Sequence, residues 1–89
     1  MDGQQIKQRL LAIAEQAFKT GPGYGQQGYI LREAASQLGV ASLQDEQALL
    51  TAWYDLLRDG DLSWGYNLSN PDPPFVHLPL RQESQRSLA

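Results

Sequence analysis

The stretch Ser63–Leu80, SWGYNLSNPDPPFVHLPL, contains two strand-like runs separated by a proline-rich break. From Leu62 to Asn67, large apolar residues alternate with small or polar ones, the period of two that is typical of a half-buried strand. The run FVHLPL supplies a partner strand, in which Pro79 is tolerated near an edge or an end. The sequence therefore predicts an antiparallel hairpin.

The connection between these two strands is long and stiff. It reads NLSNPDPP and contains the pairs Asn70-Pro71 and Pro73-Pro74. Proline fixes its own φ angle and drives the preceding residue towards extended geometry. A tight hairpin turn needs no such segment. We therefore expect a semi-rigid loop that projects from the sheet and does not pair within it.

A first helix is predicted from about Gly3 to Lys19. Asp2 is its expected N-cap and Gln5 the reciprocal partner in a capping box. Gly21, in a left-handed conformation, and the proline that follows it are expected to end this helix. Its apolar residues recur at helical spacing. They are Ile6, Leu10, Leu11, Ile13, Ala14, Ala17 and Phe18.

The segment Gly21–Gly28, GPGYGQQG, formally matches the dinucleotide fingerprint G-x-G-x-x-G. That motif needs a strand before the glycines and an acidic residue about twenty residues after them. Here a helix precedes the glycines, and no strand ending in an acidic residue follows at that distance. We interpret the segment as a flexible loop, and we expect Tyr29 and Ile30 to add a short edge strand to the hairpin.

Two further helices are predicted before the hairpin. Apolar residues in Leu31–Gly39 fall at i, i+3, i+4 and i+7, and Gly39 closes this second helix. The third helix runs from the N-cap Ser42 to about Asp59, and Asp45 completes its capping box. The predicted buried stripe of the third helix is Leu49, Leu50, Trp53, Leu56 and Leu57.

Composition excludes several classes of function. The 89 residues, 42% of them hydrophobic, are enough for one small domain. There is no cysteine, and His77 is the single histidine, so one chain cannot form a His/Cys metal site or a Cys-His pair. The N-terminus has no apolar stretch typical of a signal peptide or membrane span. We expect a cytoplasmic, non-catalytic domain with no cofactor, no metal, no small-molecule substrate and no membrane partner.

The element order resembles that of the winged helix-turn-helix superfamily: helix, short strand, helix, helix, strand, projecting loop, strand. The strings ILREAASQLG and LLRDGDLSWGYNLSNPDPPFVHLP carry this resemblance, and the second is similar to winged-helix domains of uncharacterised bacterial proteins. The resemblance implies a mainly α fold of the α+β class over residues 1–80, with three helices and a two- to three-stranded antiparallel wing sheet. Residues 81–89 would form a flexible polar tail. The turn Gly39–Gln44 is longer than in a compact helix-turn-helix, and Asp45 stands where an apolar residue is usual.

Negative charge is concentrated in the middle of the chain. The net charge is −3, and residues 42–72 contain six acidic residues and one basic residue, Arg58. These acids are Asp45, Glu46, Asp55, Asp59, Asp61 and Asp72. The third helix is therefore predicted to present an acidic surface.

Two functions remain open, and the charge bears on both. A winged helix commonly inserts its third helix into the major groove of duplex DNA. The readers would then be Gln44, Gln47 and Thr51, with Asn67 and Asn70 on the wing. Phosphate binding needs cations, however, and this region has few.

An acidic, glutamine-rich helix with a stiff apolar wing suits instead a protein partner that has basic and apolar patches. We favour this protein-interaction or regulatory role over duplex DNA binding. The candidate partner surface is Gln44, Asp45, Gln47, Thr51, Asp55, Asn67, Leu68, Asn70 and Pro73.

Overall fold

The structure, a computed structural model, describes residues 2–79. Within this range the chain is mainly helical with a small antiparallel sheet, as the α+β prediction expected. The elements are α1 (Gly3–Thr20), β1 (Tyr24–Gln26), α2 (Gln27–Leu38), α3 (Leu43–Arg58), β2 (Ser63–Trp64) and β3 (Phe75–His77). The predicted polar tail at 81–89 lies outside the described residues.

The start of α1 forms as predicted, but its end differs. The Gln5 N–H donates to Asp2 Oδ1 at 2.8 Å, and the Asp2 N–H donates to Gln5 Oε1 at 3.2 Å, which completes the capping box. Gly21 is extended, with φ −118°, and not left-handed. Its N–H and that of Gly23 both donate to the Phe18 carbonyl oxygen, so these two bonds close the helix.

The segment that follows α1 is not the flexible loop that the sequence predicted. It forms β1, which pairs antiparallel with β3. A Cβ on Gly25 would lie 2.9 Å from Ile30 Cδ1 and 3.1 Å from Phe18 Cε1. Because real Cβ atoms do not pack this closely, a glycine at this position lets the strand approach both α1 and α2.

The predicted edge strand at Tyr29 and Ile30 is wrong, since both residues belong to α2. The side-chain oxygen of Gln26 accepts a hydrogen bond from the Tyr29 N–H at 2.9 Å and caps the helix. The helix therefore begins at Gln27, earlier in the chain than Leu31, where the apolar spacing predicted its start. Ile30 is fully buried and extends the apolar face of α2.

The predicted hairpin is present, although its strands are short. The sheet order is β1-β3-β2, with Ser63 opposite His77 and Trp64 opposite Val76. Val76 is fully buried, so one face of the sheet covers the core and the other carries His77 and Phe75.

The loop at 67–74 closes on itself and brings Pro71 close to Gly65. Asn67 and Asn70 form an isolated antiparallel bridge, and the Asn70 N–H donates to the Asn67 carbonyl at 3.1 Å. Gly65 has φ +85°, and a Cβ there would lie 2.5 Å from Pro71 Cα. The prediction of an unpaired loop is therefore wrong for the turn at 67–70, because its backbone closes on itself.

The core lies between the three helices and the inner face of the sheet. Trp53 is fully buried, as predicted, but Leu50 is 41% exposed, so its predicted place in the buried stripe of α3 is wrong. Leu50 lies about 100° around the helix from Leu49. The core residues are Leu10, Ala14, Phe18, Ile30, Ala34, Leu49, Ala52, Trp53, Leu56, Leu62 and Val76.

Gln27 of α2 connects α3 to the sheet. Its side-chain oxygen accepts a hydrogen bond from Trp53 Nε1–H at 2.7 Å. Its backbone N–H donates to the Pro74 carbonyl oxygen at 2.7 Å. One residue at the start of α2 thus holds both the indole of α3 and the chain entering β3.

Replacing Trp53 with alanine tests this core assignment. We expect Trp53→Ala to lower the free energy of unfolding by roughly 3–5 kcal/mol, because it removes a large buried ring and its hydrogen bond. Tyr54→Ala, at an exposed neighbouring position, should change stability by less than about 0.5 kcal/mol. Denaturant unfolding of the two variants measures both effects, and a Trp53→Ala protein as stable as Tyr54→Ala would contradict the assignment.

Candidate interaction surface

Four of the residues predicted from the sequence share one side of α3. Gln44, Gln47, Thr51 and Asp55 recur at i, i+3, i+7 and i+11, and the first three are exposed. The Thr51 hydroxyl donates to the Gln47 carbonyl oxygen at 2.9 Å. The Asp55 carboxylate accepts from Arg58 at 2.6 Å. This side of α3 is polar, and its carboxylate already has a cation.

Asp45 has a different environment from these four. Its N–H donates to the Ser42 hydroxyl at 3.1 Å, which is the first half of the predicted capping box. Its carboxylate accepts from the Ala41 N–H at 3.4 Å, where the predicted box would have used Ser42. Asp45 therefore helps to start α3 as well as contributing negative charge there.

The predicted residues of the 67–74 loop form a separate group. The Asn70 side-chain amide donates to Asn67 Oδ1 at 3.0 Å, so the two side chains bind each other. Leu68 is fully exposed and Pro73 is exposed as well. Among the described residues, no hydrogen bond joins this group to the polar side of α3.

An apolar stripe on α3 was missed by the sequence analysis. Leu43, Leu50 and Tyr54 recur at i, i+7 and i+11, and their exposed fractions are 67%, 41% and 54%. Residues at this spacing lie on one side of a helix. We call these three residues the α3 stripe. The sequence signal for this stripe was Leu50, because it widens the apolar face of α3 beyond what one neighbouring helix can cover.

Leu50, the middle residue of the stripe, lines a shallow depression between α2 and α3. The depression has a volume of about 320 Å³ and an apolar floor. Arg32 on α2 and Glu46 on α3 lie on its opposite walls. The floor and the α3 ridge are formed by Leu31, Ala35, Val40, Leu49 and Leu50.

A second depression continues from the first. It has a volume of about 410 Å³ and shares Val40 and Leu49 with its neighbour. Gln44 and Asp45 also line it, so two of the predicted surface residues border an apolar groove. Its other lining residues are Ile6, Leu38 and Ala48. Gln44 and Asp45 thus border apolar side chains as well as solvent.

Acidic residues around the C-terminal end of α3 are paired with cations. Lys7 Nζ lies 2.6 Å from Asp59 Oδ2 and 3.8 Å from Asp61 Oδ2. The hydrogen bond to Asp59 raises the pKa of Lys7, and the same bond lowers the pKa of Asp59. α1 thus supplies a cation, Lys7, that the charge count of residues 42–72 did not include.

The outer face of the sheet carries an aromatic cluster that the sequence did not predict. The rings of Tyr24 and Tyr66 stack with centroids 3.9 Å apart, and Phe75 meets both rings at their edges. His77 lies on the same face, and its Nδ1 is 2.8 Å from the Gly65 carbonyl oxygen. These rings pack mainly on one another, so they contribute to sheet stability.

Two other classes of feature, a metal centre and a membrane span, are not found within residues 2–79. Over this range, no group of three or more histidine or acidic side chains is arranged to hold a metal ion. No helix there is long and apolar enough to cross a membrane. Comparisons with known protein families, curated proteins and solved structures gave no match to this chain.

The ion pair between Lys7 and Asp59 predicts a pH dependence of stability. Because the folded pKa of Asp59 is lowered, the pair contributes fully above the usual carboxyl pKa of 3.8, and its contribution is lost as the pH falls through the lowered value. The melting temperatures of the unmodified protein and Lys7→Gln should therefore differ at neutral pH and converge below pH 3.8.

Lys19→Gln is the matched control, since Lys19 is an exposed lysine at the other end of α1. Its effect on the melting temperature should stay constant over the same acid range. Identical pH profiles for the two variants would contradict the assigned pair.

Proposed function

We propose that this chain is a non-catalytic winged-helix module that binds a protein partner and acts as an interaction or regulatory domain. The exposed α3 stripe is the observation that carries the proposal. Large apolar side chains on a helix that is otherwise packed against its own domain are typical of a surface that another protein covers. The polar side of α3 and the 67–74 loop would form the rim.

The order and pairing of the elements support the winged-helix part of the proposal. The chain runs α1, β1, α2, α3, β2, β3, and β3 pairs with both of the other strands. In this interpretation α3 is the recognition helix and the 67–74 loop is the wing. Gly39 joins α2 to the turn before α3 in a left-handed conformation, with φ 69°.

The charges near α3 support a protein partner over duplex DNA. Neutralisation of phosphates by lysine and arginine supplies most of the non-specific affinity for duplex DNA. Arg58 binds Asp55 and lies 3.6 Å from Asp59, while Asp45 and Glu46 stand in the first turn of the helix. A recognition helix with this end leading would repel phosphate. The same two acids would attract a basic group on a protein.

The environment of His77 supports a function without catalysis. Its Nδ1 is held at the Gly65 carbonyl oxygen, and its strand neighbours across the sheet are Tyr24 and Ser63. A general base needs a partner that orients it and a site for the reacting atom. A histidine bonded to the backbone within a short sheet has instead a structural role.

Binding of duplex DNA distinguishes the proposal from its alternative. We expect the unmodified domain to bind random duplex DNA no more tightly than about 10⁻⁴ M at physiological salt. The variant Asp45→Lys with Glu46→Lys should bind more tightly, because it puts cations at the leading end of α3. Fluorescence anisotropy with a labelled duplex at two salt concentrations measures both affinities.

The matched control is Glu15→Lys with Glu33→Lys, which adds the same net charge on α1 and α2. It should strengthen DNA binding less than the α3 variant does. Micromolar binding by the unmodified domain, weakened steeply by added salt, would return duplex DNA binding to first place.

A further inference from the structure

The surface formed by α2 and α3 carries an exposed apolar side chain, Leu50, at the edge of an apolar depression. Leu50 stands 41% exposed on the ridge, while Leu31, Ala35 and Val40 form the adjoining hollow. A ridge and a hollow of similar size, side by side, are what a self-complementary contact requires. Packing of ridges into grooves is also the usual way in which helices meet.

We propose that a second copy of this chain occupies the depression, in a twofold dimer formed by α2 and α3. A twofold axis running along the border between ridge and hollow brings the α3 ridge of one copy onto the α2 wall of the other. Leu50 of each copy then enters the hollow of its partner copy. Both contacts form together, since the symmetry repeats each of them.

The charges on the two walls support this choice of occupant. Arg32 and Glu46 line opposite sides of the depression, and neither forms an ion pair within residues 2–79. The same axis puts Arg32 of one copy opposite Glu46 of the other, twice in each dimer. A partner that presents both a basic and an acidic group can pair with both walls, and a second copy of this chain supplies both.

This inference rests on the proposed function, because it names the partner of the exposed side of α3. It also accounts for Leu50, whose helical neighbours Leu49 and Trp53 are buried while Leu50 itself is not. Covering Leu50 and Tyr54 removes from water the apolar surface that the isolated chain leaves exposed. The remainder of the candidate surface, on the 67–74 loop, stays available in the dimer.

Sedimentation equilibrium of the full chain tests the dimer. From about 10 μM to about 1 mM, the unmodified chain should shift from the monomer mass towards twice that mass. Leu50→Asp should remain monomeric, and Gln8→Asp, which puts the same charge on an exposed site of α1, should associate like the unmodified chain. Circular dichroism and thermal melting establish that each variant is folded.

Charge reversal identifies the contacting residues. Arg32→Glu and Glu46→Arg, each measured alone, should lower the association constant by about tenfold or more, because each puts like charges together at two symmetric positions. An equimolar mixture of the two variants should recover association as a heterodimer. The double variant carrying both changes should recover it as a homodimer. Arg9→Glu, an exposed reversal on α1, should leave association unchanged.

A chain that stays monomeric up to about 1 mM would overturn the inference. Association that survives Leu50→Asp, or that the mixture of reversed variants does not recover, would overturn it as well. A trace of fluorescent duplex DNA, added to the same centrifuge cells, distinguishes failure of the proposed dimer from failure of the proposed function. If the chain is monomeric and does not bind the duplex, only the proposed dimer is contradicted. If the chain binds the duplex with micromolar, salt-sensitive affinity, the proposed function is contradicted.

Discussion

The hydrogen bond from Trp53 Nε1–H to Gln27 Oε1 is the constraint on which the arrangement of this domain depends. It buries the indole with its polar atom satisfied, at a donor–acceptor distance of 2.7 Å. Gln27 also donates its backbone N–H to Pro74, so the same residue fixes the entry into β3. Gly25, two residues earlier, lets β1 pack tightly on Ile30 and Phe18. Helices and sheet are thereby joined at one place.

This constraint determines which side of α3 faces water. With Trp53 directed at Gln27, Leu49 and Leu56 also turn into the core. The α3 stripe, on the other side of the same helix, has no helix of the described chain to cover it. The orientation of α3 about its own axis therefore accounts both for the Trp53–Gln27 hydrogen bond and for the exposure of the α3 stripe.

The sequence predicted those features that depend on local chemistry. Each of these features depends on residues that are close together in the sequence. They are the helical spacing, the capping residues Asp2 and Ser42, and the helix end at Gly39. The strand β1 was missed because it pairs with a strand about fifty residues away and has no alternating pattern of its own. Exposure of Leu50 could not be predicted, since an apolar residue next to a buried stripe is covered or uncovered by distant elements. The mutual bond of Asn67 and Asn70, which occupies two predicted site residues, depends likewise on how the loop closes.

Photo-crosslinking in cells tests most directly whether the exposed side of α3 binds protein. A diazirine amino acid would be encoded at position 50, and at position 8 on exposed α1 as the matched control. The account predicts covalent adducts with another polypeptide, either a second copy or a different chain, from position 50 and not from position 8. Equal adducts from both positions, or adducts with nucleic acid from position 50, would contradict it.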